Sequence, residues 1–279
     1  MAGVVFEGGT FRPIFSSGVM DALLENDVMF PYCIGVSAGI SNGVSYISKQ
    51  KGRNLEIIKR FRHDKRYIGA GNIIKEKSIF GMNFLFSEVA NNLLPFDFET
   101  FYSYTGKVRI VVTNCLTGEA EYMDGLQMKD DYKELRATCS VPLMFPPVMI
   151  NDTPYYDGGV ADPIPIRKAM ADGNEKNLIV LTQPEDYVKE TDKQTKFAIG
   201  RLKKRYPEIA RALEIRSEKY NEARELCKKL EKEGKAVVIY PEYKLNSMEK
   251  DIQVLEKSYD MGYRLATERM DEIKKLMEK

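Results

Sequence analysis

The chain has 279 residues, 43% hydrophobic and 10% aromatic, enough to bury a large core as one α/β domain or as a domain with a helical appendage. Its 42 basic and 41 acidic residues give a net charge of +1 with both signs interspersed, which argues against a nucleic-acid or other polyanion partner. Four scattered cysteines fit no metal knuckle or CxxC motif, and no apolar run approaches the roughly 20 residues of a bilayer span. The N-terminus is too short and uncharged to read as a signal peptide, so the expectation is a cytoplasmic protein with reduced thiols, no metal and no cofactor.

Gly3 to Phe6 reads as a short buried strand, followed by Glu7-Gly8-Gly9-Thr10-Phe11-Arg12-Pro13. Adjacent glycines after a strand let the backbone turn its N–H groups outward as an anion cradle. A nucleotide-binding loop or a simple tight turn would use the same residues, but the GxGxxG spacing and a Walker lysine are missing. Phe15, Val19, Leu23 and Leu24 mark one face of a helix that ends near Asn26-Asp27. The next apolar run ends in Gly35-Val36-Ser37-Ala38-Gly39, and Ile40, Val44 and Ile47 then recur at helical spacing. Strand, tight turn and helix is the context of a nucleophile elbow. A serine there is strained with its hydroxyl exposed, and Gly35 and Gly39 spare the clash of β-carbons with strand and helix. The new helix aims free N–H groups and its positive dipole end at the serine.

His63 is the single histidine and lies in the charged run Arg60 to Arg66, so it reads as a solvated residue at a helix end. It precedes every later acid, so the order Ser, acid, His of an α/β-hydrolase cannot be met. Leu55 to Arg62 predicts a short helix. Tyr67 to Phe96 is rich in Ile, Met, Phe and Leu but broken by Gly69, Gly71 and Gly81; a lid over a lipid cleft and a core helix predict the same composition. Lys107 to Leu116 is a strong strand, with a short strand at Ala120 to Met123. Leu135 to Ser140 predicts a helix stopped at Val141-Pro142, and Val148 to Ile150 with Tyr155-Tyr156 a hairpin around Asn151-Asp152. Asp157-Gly158-Gly159 follows directly, then a helix from Ile166 to Ala171 and a strand at Leu178 to Leu181. From about Asp192 the chain turns charged and helical, over Phe197–Arg205, Glu208–Gly234 and Asp251–Lys279, with one strand at Ala236 to Tyr240.

Gly8-Gly9, Gly35-x-Ser37-x-Gly39 and Asp157-Gly158-Gly159 each follow a predicted strand, so all three are expected at the carboxyl edge of one sheet. In this order the motifs resemble the patatin-like phospholipases, which pair a glycine-rich oxyanion loop with GxSxG and a late DG[GA] acid. Phe15 to Leu23, Ala137 to Pro142 and Gly159 to Pro165 extend the resemblance over roughly residues 1–185. It implies a three-layer α/β/α domain with a mainly parallel sheet over 1–185 and a helix-rich C-terminal region over 186–279. It implies a serine lipid acyl hydrolase of phospholipase A or lysophospholipase type, with Ser37 as nucleophile and Asp157 as base. The oxyanion donors would be the N–H groups of Gly8, Gly9, Thr10 and Ala38, with Gly35, Gly39, Gly158 and Gly159 supporting the motifs. The family usually has a third glycine where Thr10 stands, and often one where Pro13, which lacks an N–H, stands. A threonine donor is expected to serve only if its position needs no positive φ. Arg12 is expected to brace the loop rather than attract a head group. The substrate would be a lipid or acyl ester, with peripheral membrane contact a further expectation and the oligomeric state open. A carboxylesterase or thioesterase on soluble acyl groups, and a catalytically silent acyl- or membrane-binding module, are the alternatives.

Overall fold

The structure, a computed structural model, describes residues 1–278. An eight-stranded sheet is built from β1 (Ala2–Phe6), β2 (Tyr32–Val36), β3 (Lys107–Asn114), β4 (Ala120–Asp124), β5 (Val148–Ile150), β6 (Thr153–Asp157), β7 (Lys176–Val180) and β8 (Ala236–Ile239). The helices are α1 (Ile14–Glu25), α2 (Ala38–Ile47), α3 (Arg53–Phe61), α4 (Gly71–Glu76), α5 (Phe98–Tyr102), α6 (Lys133–Thr138), α7 (Ile166–Ala171), α8 (Lys193–Leu202), α9 (Pro207–Lys232), α10 (Ile252–Glu268) and α11 (Met270–Met277). A wide π-helical stretch covers Phe84–Leu93.

Strands β3, β2, β1, β7 and β8 run parallel, side by side, and are apolar on both faces, as a covered parallel sheet requires. Val4, Phe6, Leu178, Val180, Val237 and Ile239 pack with α1, α2, α10 and α11 on one side. Val5, Ile34, Val36, Ile179 and Val238 pack with α7 and α9 on the other. The result is the expected three-layer α/β/α sandwich.

One part of the sheet departs from expectation and positions the site. β4 and β6 both run antiparallel to β3. β4 pairs with Arg109–Thr113, overlapping β2 at Arg109–Val111 and β6 at Val112–Thr113. A strand residue has only two flanks, so β4 takes one and β2 and β6 lie in line on the other. They meet head to head: Val36 pairs with Val111, and Asp157 with Val112. Asp157 therefore reaches the level of Ser37 from the opposite direction, not at the carboxyl end of a parallel strand. The hairpin that turns β6 back has both Asn151 and Asp152 at positive φ, the geometry of a type I′ turn.

The region after residue 185 packs on the same sheet. β8 extends the same sheet, and α9 seals its second face. α10 lies against α1 where two glycines face each other's helix. A Cβ on Gly18 would lie 2.0 Å from the Tyr259 carbonyl oxygen, and one on Gly262 2.0 Å from that of Phe15. The expected single helix over 251–279 breaks at Arg269, whose guanidinium bonds Glu231 (2.9 Å) and the Val238 carbonyl (2.8 Å). The break turns α11 so that Met270, Ile273 and Leu276 are buried on the first face.

Candidate active site

Ser37 closes β2 at φ 53 and ψ −135, a backbone region that costs a side-chain-bearing residue about 1–3 kcal/mol. The neighbours hold it there by close backbone approach. A Cβ on Gly39 would lie 2.4 Å from the Glu7 carbonyl oxygen, and one on Gly8 2.9 Å from the Ser37 Cβ. On the acid loop, a Cβ on Gly158 would lie 2.2 Å from the Val111 carbonyl oxygen. Where β2 and β6 abut, the turn after α6 bridges the gap. The Thr138 hydroxyl donates to the Val111 carbonyl (2.5 Å) and accepts the Ser37 N–H (2.8 Å). Two residues on, the Ser140 carbonyl accepts the Asp157 N–H (2.8 Å). From β3, the Thr113 hydroxyl donates to the Asp157 carbonyl (2.8 Å). The Ala137–Pro142 string marked the family in the sequence, but these positioning roles of Thr138 and Thr113 were not read there. They depend on which strands abut.

The Asp157 carboxylate is buried and its Oδ1 accepts the Gly159 N–H at 2.7 Å. Burial pushes its pKa up to about 6, against the Ser37 hydroxyl, the Gly159 N–H and the positive charge of Arg216, which hold it down. The Ser37 hydroxyl thus stands beside a carboxylate poised near neutrality, with the Cys139 thiol as its other polar neighbour. Burial pushes that thiol up to about 12, so it stays protonated. His63 is exposed in the turn after α3 and lines neither cavity at Ser37.

The loop after β1 supplies a row of backbone donors. Among the described residues, the N–H groups of Gly8, Gly9, Thr10 and Ala38 have no partner. The row stops at Phe11, whose N–H donates to the Ser247 carbonyl (3.2 Å). Gly9 sits at φ 141 and Thr10 at φ 57, so the position does use the left-handed region that the sequence expectation asked threonine to avoid. Threonine adopts it at a cost of about 1–2 kcal/mol and keeps its N–H free. Pro13 opens α1 at φ −64, where its missing N–H costs nothing. The Arg12 guanidinium donates through Nε to the Thr182 hydroxyl (3.2 Å) and lies 3.9 Å from the Glu7 carboxylate. Those are bracing contacts. Glu7 is itself buried and accepts the Thr182 N–H (2.7 Å) and the Tyr220 hydroxyl (2.9 Å).

Two cavities meet at Ser37, sharing Thr10, Val141 and Met144 as well. One, of about 140 Å³, is apolar; Tyr67, Phe80, Met82, Leu85, Phe86 and Phe96 form much of its wall. Phe80, Phe84, Phe86, Val89 and Phe96 are buried, so the large aromatic side chains of the Tyr67–Phe96 segment are packed wall, whereas Ile73, Ile74 and Ile79 are exposed. The other cavity, of about 610 Å³, is the more polar of the two and is lined by Gly8, Gly9, Arg12, Asp157, Lys189 and Arg216 among others.

Residues 4–170 match the family described as "Patatin-like phospholipase". The chain belongs to that family. In this patatin-like chain, residues 206–278 match a second family, a domain of unknown function termed DUF6363. The uncharacterized protein YjjU of Escherichia coli (strain K12) is 25% identical over 187 residues, which are 65% of this chain and 52% of YjjU. The probable lipid hydrolase 463L of Invertebrate iridescent virus 6 is 26% identical over 193 residues, 62% of this chain and 65% of the viral protein. This patatin-like chain thus spans about half the length of the first relative and under two thirds of the second. Among solved structures, VipD from Legionella pneumophila aligns with 97% of this chain and 66% of its own, at 13% identity and a TM-score of 0.49.

Proposed function

We propose that this protein is a serine lipid acyl hydrolase of phospholipase A or lysophospholipase type. The observation that carries the proposal is the meeting of β2 and β6 on β3. It sets the Ser37 hydroxyl beside the Asp157 carboxylate, on the wall shared by an apolar and a polar cavity. Membership of the patatin-like family and the name of the viral relative support the same class.

In the proposed reaction Ser37 Oγ attacks the ester carbonyl carbon while its proton passes to Asp157. The free N–H groups of Gly8, Gly9, Thr10 and Ala38 receive the developing oxyanion; one such donor is typically worth about 2.7–4 kcal/mol of barrier. Asp157 returns the proton to the departing alcohol, leaving Ser37 acylated. Water, deprotonated by Asp157, then attacks the acyl carbon, and Asp157 returns that proton to Ser37 Oγ as the ester bond breaks and frees the acid. A carboxylate near pKa 6 is ionised at neutral pH and still basic enough for both steps. The acyl chain would lie against Phe86 and its neighbours in the apolar cavity. The proposed setting is cytoplasmic, with the substrate met at a membrane surface; no helix among the described residues is long and apolar enough to cross one.

A fluorophosphonate probe should label Ser37, and p-nitrophenyl esters should turn over with kcat/KM rising with chain length. The folded protein failing to hydrolyse esters of any length would overturn the proposal. A preference for the shortest acyl groups would move it to a soluble-ester hydrolase.

A further inference from the structure

The polar cavity holds cations that make no bond in the acyl-transfer steps. Lys189, on the loop after β7, and Arg216, on α9, line it together with Arg12, Gly8, Gly9 and Ser37. Both are held in place by the C-terminal segment. Asn221 of α9 fixes the Lys189 backbone on both sides, accepting its N–H (2.8 Å) and donating to its carbonyl (3.0 Å). The Lys189 ammonium stands 5.4 Å from the centre of the Tyr220 ring. Arg216 donates through Nε to the Gly159 carbonyl, next to the acid loop.

The acids on this cavity are already engaged. Glu7 serves the Thr182 N–H, Tyr220 and Arg12; Asp192 caps α8 through the Thr195 N–H (2.7 Å); Asp157 faces Ser37 and the Gly159 N–H. Among the described residues, neither Lys189 nor Arg216 has a carboxylate within 4.0 Å. The surplus charge is felt: burial, then the charges of Arg216 and Arg12, push Lys189 down to about 8. Partly buried cations that repel one another and lack a carboxylate within ion-pair distance are relieved by an anion bound between them.

We propose that this cavity is an anion subsite in which Lys189 and Arg216, beside Arg12, receive the phosphate carried by the alcohol half of the ester. The assignment rests on the hydrolase reading and deepens it. With the acyl chain in the apolar cavity and the carbonyl at Ser37, the leaving half of the substrate falls on the basic side. Neither residue lies within the patatin-like segment 4–170; Lys189 lies between the two matched segments and Arg216 within 206–278. The second segment then supplies Arg216 and, through Asn221, the backbone anchor of Lys189, so selectivity for the phosphorylated alcohol depends on it.

The test compares two esters of one acyl chain on the full-length protein: 1-palmitoyl lysophosphatidylglycerol, a phosphodiester, and the neutral 1-palmitoylglycerol. Lys189→Gln and Arg216→Gln should each lower the ratio of their kcat/KM values by at least about tenfold, and Lys189→Arg should restore most of it. If Arg216→Gln does not fold, the Lys189 pair with unchanged melting temperature carries the test. Competition against the neutral ester by glycerophosphoglycerol, and not by inorganic phosphate, marks the lipid as the source of the anion. Competition by inorganic phosphate alone marks a free-phosphate site and overturns the substrate assignment. A ratio unchanged in the folded variants overturns the subsite while leaving the hydrolase standing. No turnover of either ester by the wild type removes the hydrolase reading and the subsite with it.

Discussion

The two cavities at Ser37 are made in different ways. The apolar one is walled by residues 10–145, all inside the family-matched segment, and opens between the main hydrophobic core and a second apolar cluster around Phe11, Ile14, Ile58 and Phe80. The polar one is assembled from loops far apart in sequence, Glu7–Arg12, Asp157–Gly159 and the stretch from Gln183 to Ser247. Core packing fixes the first: its shape is lost only with stability. Hydrogen bonds and charges fix the second, so its chemistry can be altered with the fold intact. Ser37 lines both, with Asp157 beside it on the second, and loss of either group should not discriminate between them.

The largest expected effect tests that shared boundary. Ser37→Ala and Asp157→Asn should each reduce turnover of every ester by about 10²–10⁴-fold or more, and the double variant should lose little beyond either. Melting temperatures should stay close to wild type for Ser37→Ala, since alanine keeps the β-carbon and with it the strain at φ 53, and stay or rise for Asp157→Asn, which neutralises a buried carboxylate. Near-normal esterase activity of Asp157→Asn would assign the base elsewhere.

Next come the walls of the apolar cavity. Phe84 packs with Phe61 and Val89 away from the opening, whereas Phe86 packs in the main core and also lines the cavity. Truncating either to Ala should cost about 3–5 kcal/mol, read as a fall in melting temperature. Only Phe86→Ala should in addition lower kcat/KM more for long than for short acyl esters at a temperature where both variants are folded. A melting temperature unchanged in both would make the segment an exposed flap instead.

Much of the nucleophile side was legible because its chemistry is local. Gly-x-Ser-x-Gly between an apolar run and a helical pattern predicts strand, tight turn and helix, and gains its weight from the Gly8-Gly9 and Asp157-Gly158-Gly159 motifs that accompany it. The rest depends on pairings that leave no local trace. Thr153–Asp157 would read the same in a parallel or an antiparallel strand, so its head-to-head meeting with β2 was not foreseen. Arg216 sits in a 26-residue charged helix where solvated cations are the rule, and only the fold brings it to Gly159. Thr10 is the reverse case: its departure from glycine was visible, but its φ of 57 was not.

A smaller effect separates the roles of the two cations on the polar side. Asp157 must be ionised to accept the Ser37 proton, so activity should rise with pH through about 6. Arg216 is among the groups that hold this pKa down; removing its charge raises it further, and the acid limb of Arg216→Gln should move to higher pH. Lys189 is not among those groups, so the limb of Lys189→Gln should stay where it is. If both limbs moved together, the two cations would act on Asp157 as one field, and Arg216 would have no separate effect on the carboxylate.

The smallest effect concerns Thr10, which lines both cavities. Thr10→Gly relieves the left-handed strain of about 1–2 kcal/mol but gives the unfolded chain more freedom, worth about 0.4–1 kcal/mol. The net gain in stability should be about 1 kcal/mol or less, a rise of a few degrees at most. Because glycine keeps the N–H and adopts φ 57 without strain, activity on both esters should stay within about twofold. The comparison becomes sharper if it does not. A tenfold loss confined to long acyl esters would mean that the threonine side chain closes the apolar cavity. A loss confined to the phosphodiester would place its hydroxyl on the anion side, and an equal loss on both, with stability raised, would show that its β-carbon holds the oxyanion loop in register.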